Sequence, residues 1–115
     1  MTTTAAPDLA TGFPRSGREE LGGFAWLPRL ADKVRADHAG TAGDYVAYCP
    51  LSMGFLTRTG VSRDAFDRLV RDGASDADLG TYFQEHAAGQ RDVANAYVLN
   101  EMASHLDEQD AEEGR

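Results

Sequence analysis

The chain has one cysteine, one lysine and one tryptophan in 115 residues. A lone thiol, Cys49, excludes an internal disulfide framework. No apolar run approaches the roughly 18 residues that a membrane-crossing helix needs. The first residues, MTTTAAPDLATG, have no basic start followed by an apolar stretch, so no secretory signal is read there. These absences make the cytoplasm the expected location. GxxxxGK[ST] and GxGxxG are missing, which excludes the common phosphate-cradling and dinucleotide loops. His38, His86 and His105 show no HExxH spacing, and Cys49 has no second cysteine near it. Glu101 and His105, four apart, are a weak two-ligand hint at best. No metal and no cofactor is expected.

Basic charge is also scarce. Eleven Lys and Arg face nineteen Asp and Glu, for a net charge of −8. Residues 1–60 are balanced, and residues 61–115 carry the whole excess of acid. Such a surface repels phosphate backbones and anionic bilayers, so neither nucleic acid nor membrane is an expected partner. Ten of the eleven basic residues are Arg. That skew suits a compositional bias as well as a chosen donor geometry.

What is present is helical patterning. Apolar residues make up 42% of the chain, enough for a core in a domain of this length. The pattern predicts a mainly α fold, one irregular domain over 13–106 with about five helical segments. A loose N-terminal tail is expected over 1–12 and a fraying acidic tail over 107–115. The first helix is predicted to begin near Trp26 or Leu27 and to reach His38, with Pro28 in its first turn and Gly40 at its exit. Leu27, Leu30, Ala31, Val34 and His38 form its buried stripe. Arg29, Asp32, Lys33, Arg35 and Asp37 form a polar outer face with i,i+3 and i,i+4 pairs. Residues 44–49 read as an extended segment crossing the core, and Ser52–Thr59 as a short helix. Ser62 and Ser75 are placed to cap two further helices, the first stapled by Val61 and Phe66. Leu79, Tyr82, Phe83 and His86 form the stripe of the second, and Gly89 its end. A last helix from Arg91 is predicted to bury Val93, Ala96, Tyr97, Leu99, Met102, Ala103 and Leu106.

The chemistry-bearing candidates lie in the first half. Residues 14–35 are the one clearly net-positive window, with five basic and three acidic side chains. Arg15, Ser16 and Arg18, together with Asp32, Lys33 and Arg35, make a candidate surface for a small anionic ligand or an acidic protein partner. The competing reading has Arg15 and Arg18 pinned by Glu19, Glu20 or the acidic C-terminal half. Cys49 is a candidate nucleophile in a small enzyme, assisted by Asp32, Arg35 or His38. Its apolar setting, YVAYCPL, supports an inert buried thiol equally well. Trp26, Tyr45, Tyr48, Tyr82 and Tyr97 suit either a flat-ligand pocket or a core. A homo-oligomer joined through the Tyr97–Leu106 face is a third possibility.

Four blocks, PRSGREELGG, WLPRLADKVRADHAGTAGDY, YCPLSMGFLTRTGV and DAFDRLV, together resemble the DUF5069 family of small bacterial proteins, over roughly residues 9 to 90. The matching positions are Pro14, Arg15, Ser16, Arg18, Leu21, Gly22, Gly23, Asp32, Lys33, Arg35, Ala36, Cys49, Pro50 and Leu51. The chain departs from the family pattern at Gly17, where proline is usual, and at Ser52, where aspartate is usual. An acid required after Cys-Pro-Leu would be missing here, whereas a helix-capping role suits either residue. The resemblance carries no reaction, because the family has no assigned function.

Overall fold

Residues 5–115 are described by a computed structural model, so the expected tail at 1–12 lies in part outside the described residues. Gly22 and Gly23 both take positive φ, 59° and 84°, and close a two-residue turn. Glycine at both positions is what a type I′ hairpin requires. The hairpin pairs β1 (Glu20–Leu21) with β2 (Phe24–Ala25) in antiparallel register, Glu20 opposite Ala25. A Cβ on Gly22 would also stand 2.8 Å from the Gly80 carbonyl oxygen, so glycine lets the turn lie against the helix that carries Gly80.

Helix α1 (Leu27–Ala39) follows at once, with Pro28 in its first turn and Gly40 as its left-handed exit. Around it stand α2 (Pro50–Thr59), α3 (Arg63–Arg71) and α4 (Asp76–His86). Ser62 caps α3 by accepting from the Ala65 amide. Ser75 and Asp78 form a reciprocal capping box on α4, which holds the Asp78 carboxyl below its usual range through the Ser75 backbone and hydroxyl hydrogen bonds. A short 3₁₀ turn (Ala88–Gln90) leads to α5 (Arg91–Ala96), a π turn (Tyr97–Glu101) and α6 (Ala103–Glu112). Phe83 sits among aromatic rings, with Phe24, Phe55 and Phe66 centred 5.5, 5.8 and 6.0 Å away. The radius of gyration, 13.1 Å, is that of one folded domain of this length.

The fold is mainly helical, as the pattern predicts, and it departs from the expected detail in four places. Helix α1 is buried on every side, from Leu27 through Ala36, so its polar face is interior rather than solvent-facing. The chain from Thr41 to Cys49 passes through turns without forming a strand, and Val46 is exposed, so this stretch borders the core instead of crossing it. The last helix is broken. The Met102 amide donates to the Tyr97 carbonyl, and the wider turn shifts the helical register between Val98 and Leu106; the buried face runs through Ala94, Val98 and Leu106, and Val93 is 59% exposed. The residues expected to fray are docked, with α6 reaching Glu112 and Glu113 buried. Their acids find cationic partners on the opening loop and α1, which composition alone does not show.

Candidate functional site

Arginines of the opening loop and of α1 meet the chain's own carboxylates. Arg15 grips Asp32 through Nε and Nη2, both at 3.0 Å, and its backbone amide donates to the same carboxylate at 2.8 Å. Its Nη1 reaches Asp76 at 2.8 Å, in the first turn of α4. Arg35 donates to Asp76 as well, at 2.8 Å, and to the Ala74 carbonyl. Burial works against these charges, but the hydrogen bonds outweigh it. Arg15 is raised above its ordinary value, and the Asp76 carboxyl is held below its own. Ser16 and Arg18 bond Asp110 at 2.9 and 2.7 Å, and Arg18 also pairs with Asp107. Of the seven expected site residues, Arg15, Arg18, Asp32 and Arg35 are therefore ion-paired within the fold, and Ser16 is hydrogen-bonded to Asp110. The i,i+3 and i,i+4 pairs foreseen along α1 are replaced by these long-range ones, because packing brings distant acids closer than local ones.

Lys33 and Cys49 are the two expected site residues that meet elsewhere. Helix α1 carries Lys33 inward, where it is 4% exposed. Its Nζ lies 3.4 Å from Cys49 Sγ and 5.1 Å above the Trp26 ring. Trp26 is the one described non-glycine residue at positive φ, 76°, and it is wholly buried. Its indole N–H donates to Ser52 Oγ at 3.1 Å, and that hydroxyl lies 3.4 Å from the same thiol. Pro50 starts α2 two residues before Ser52, so Cys49, not Ser52, occupies the cap position. Ser52 instead links the tryptophan to the thiol. Burial lowers the Lys33 ammonium from its ordinary value. Burial alone would raise the Cys49 thiol, but the Lys33 charge and the polar groups of Ser52 outweigh it and bring the thiol down.

The thiol and the ammonium face an open cavity of about 470 Å³, which Arg29, Tyr45 and Glu113 also line. Arg29 is 2% exposed and bound fork-to-fork by Glu113, at 2.9 and 2.7 Å. Tyr45 donates to the same carboxylate at 2.8 Å, and burial with that bond pushes its phenol up to about 12. Arg29 Nε and Gln109 Oε1 are sealed from solvent without a partner among the described residues, and both residues border this cavity. Phe13 and Val46, two of the exposed large apolar side chains, stand at its mouth beside Asp44 and Glu112. Sequence reasoning missed Arg29, Glu113 and Gln109 as parts of a site, and offered Tyr45 either as a pocket-lining aromatic or as core. The arginine-to-acid charge balance across the two halves is the one signal that pointed toward them.

Asp32, Arg35 and His38 do not bond to Cys49. His38 meets Asp67 at 3.0 Å, and Tyr48 and Arg71 donate to that same carboxylate at 2.8 and 2.7 Å. The Tyr97–Leu106 face foreseen for a partner copy is partly buried within the chain. Val98 and Leu106 are in the core, and Arg58 stacks 3.7 Å over the Tyr97 ring. Among the described residues no three His, Cys, Asp or Glu side chains converge in a group able to hold a metal ion, and no helix is long and apolar enough to cross a membrane.

Fold and site together define a small helical protein with one cavity lined by an ammonium, a thiol and a buried guanidinium. Residues 11–115 match the model of a domain of unknown function, DUF5069, and the chain belongs to that family. The match extends the likeness seen over roughly residues 9 to 90 through α6, whose acids complete the cavity. No curated protein matches the chain.

Proposed function

We propose that this chain is a cytoplasmic small-molecule binding protein whose site is the Lys33 cavity, and that its ligand is a small monocarboxylate. One observation carries the reading. The Lys33 ammonium, almost wholly buried, has a thiol as its one hydrogen-bond partner among the described residues. A buried ammonium with three N–H donors and no carboxylate costs several kcal/mol in lost hydration, on the order given for unpaired buried ions. An entering carboxylate supplies the missing acceptors. Phe13 and Val46 offer an apolar wall for the rest of the ligand, while Asp44 and Glu112 at the mouth disfavour a dianion. The loop 14–23 is a weaker candidate, since an anion or acidic partner there must first displace Asp32, Asp76, Asp107 and Asp110.

Thermal shift and calorimetry against a panel of small carboxylates and phosphates test this. A ligand at a hundredfold excess over Kd adds about 2.7 kcal/mol, or about 10 °C in Tm for a domain of this size. Lys33→Met should abolish the shift, and Arg18→Ala should leave it intact. A shift lost in Arg18→Ala and kept in Lys33→Met would return the site to the loop. No shift with any carboxylate would end the proposal.

A further inference from the structure

The Lys33–Cys49 contact has a second chemical capacity, independent of what the cavity binds. We infer that Cys49 and Lys33 form a redox-linked pair, in which hydrogen peroxide oxidises the thiol and the lysine amine then closes a covalent S–N bond. Three observations bring the reactants together. Cys49 is partly exposed and borders an open cavity, so a small peroxide reaches its sulfur. Lys33 Nζ is 3.4 Å away, held between that sulfur and the Trp26 ring. The chain has no second cysteine, so an internal disulfide cannot resolve an oxidised Cys49.

The steps balance. In the first, the Cys49 thiolate attacks one peroxide oxygen and the O–O bond breaks. The leaving hydroxide takes a proton from the Lys33 ammonium and departs as water, leaving Cys49 as a sulfenic acid. Sulfur has lost two electrons and the peroxide has gained them. The same proton transfer converts Lys33 to a neutral amine, with a free lone pair beside the new electrophile. In the second step the amine nitrogen attacks sulfur, the S–OH bond breaks, and hydroxide leaves with a proton from nitrogen as a second water. Condensation of a sulfenic acid with a nearby nitrogen is known chemistry of oxidised cysteine. An external thiol attacks the sulfur and releases the amine, leaving a mixed disulfide that a second external thiol reduces to free Cys49. Ser52 Oγ, fixed by the Trp26 indole N–H, stands where it holds the sulfur toward Lys33.

Peptide mapping of the native protein after hydrogen peroxide tests the link. The expected product is lighter than the reduced chain by two hydrogen atoms, joins the segments holding residues 33 and 49, and reverts with a reducing thiol. A dimedone-type trap should capture little sulfenic acid in the native chain and much in Lys33→Met, while Cys49→Ser should give no linked peptide. The wild-type map decides the matter even if Lys33→Met folds poorly. A native Cys49 that gives trappable sulfenic or sulfinic acid with no linked peptide, or that does not react at all, overturns the inference. So does a link that forms equally in denatured chain, because the native contact would then play no part. Neither outcome bears on carboxylate binding, which is read by thermal shift on the reduced protein.

Discussion

Replacing Glu113 with alanine is the sharpest test of the buried wall of the cavity. The carboxylate is buried with Arg29, the two side chains being 4% and 3% exposed, and it also accepts from Tyr45 and Arg115. Removing it leaves a guanidinium with no way to discharge inside the protein. Breaking one side of such a pair costs about 3–5 kcal/mol. One term opposes this: Glu113 closes the C-terminal end of α6, where a negative charge is disfavoured by about 0.5 kcal/mol. The net loss is about 3–4 kcal/mol, a large share of the 5–15 kcal/mol typical of a domain. In urea, with m of about 1.5 kcal/mol/M, the midpoint should fall by about 2 M with m unchanged. The double change Arg29→Met with Glu113→Met should recover most of the loss, since a buried pair exchanged for apolar side chains is often neutral. A single-variant cost under about 1 kcal/mol would refute the reasoning, because the end of α6 would then be undocked.

Asp76→Asn should cost about 2 kcal/mol in the same assay, because Arg15 and the buried Arg35 both lose a charged acceptor while the amide oxygen keeps one contact. Carboxylate binding in the Lys33 cavity should be unchanged in that variant, and a loss there would tie the two clusters together. Acid should destabilise the protein in a defined window. Burial raises the carboxyls of Asp67, Asp76 and Glu113, but their hydrogen bonds outweigh it and set all three below their ordinary values of 3.8, 3.8 and 4.5. Depressed acids contribute stability that is present above those ordinary values and is lost as pH falls through the folded ones. The Tm should thus hold from pH 7 to about 5 and fall steeply below about 4, and a flat profile to pH 3 would contradict the pairing. Gly54→Ala pits two effects against each other. A helix-interior alanine gains about 1 kcal/mol over glycine, but its methyl would overlap the rigid Tyr97 ring, an overpacking cost of about 1–3 kcal/mol. A net loss of about 1 kcal/mol by urea denaturation is expected, and a net gain would mean that Tyr97 moves freely.

What was legible in the sequence was local. Ser62 and Ser75 cap where their spacing to the following amides says they should. The polar face of α1 was not legible. Arg29, Asp32, Lys33 and Arg35 have the spacing of a solvated stripe, and helical periodicity describes only one helix at a time. Their partners come from elsewhere: Asp76 lies 41 residues from Arg35, and Glu113 lies 84 residues from Arg29. The same long range hid the C-terminal acids, which resemble a tail until their cations are placed opposite them. Of the expected site residues, Lys33 and Cys49 touch each other at the wall of an open cavity.

Their difference from the arginines has a physical basis. Five charged residues are buried among those described: Arg29, Asp32, Lys33, Arg35 and Glu113. The two arginines and the two acids all find an opposite charge, as they must, because a guanidinium does not give up its proton and a buried carboxylate without a partner is costly. Lys33 is the one buried charge matched to a thiol. An amine and a thiol share a capacity that the ion pairs lack: they can exist together as two neutral groups or as ammonium and thiolate, with one proton moved across 3.4 Å. The pair can therefore be buried without a carboxylate and still present either a cation to an incoming anion or a nucleophile to an oxidant. An arginine at position 33 would need a permanent counter-charge and would close the site in the way that Glu113 already closes Arg29. The single lysine of an arginine-rich chain thus occupies the buried position where a removable proton matters.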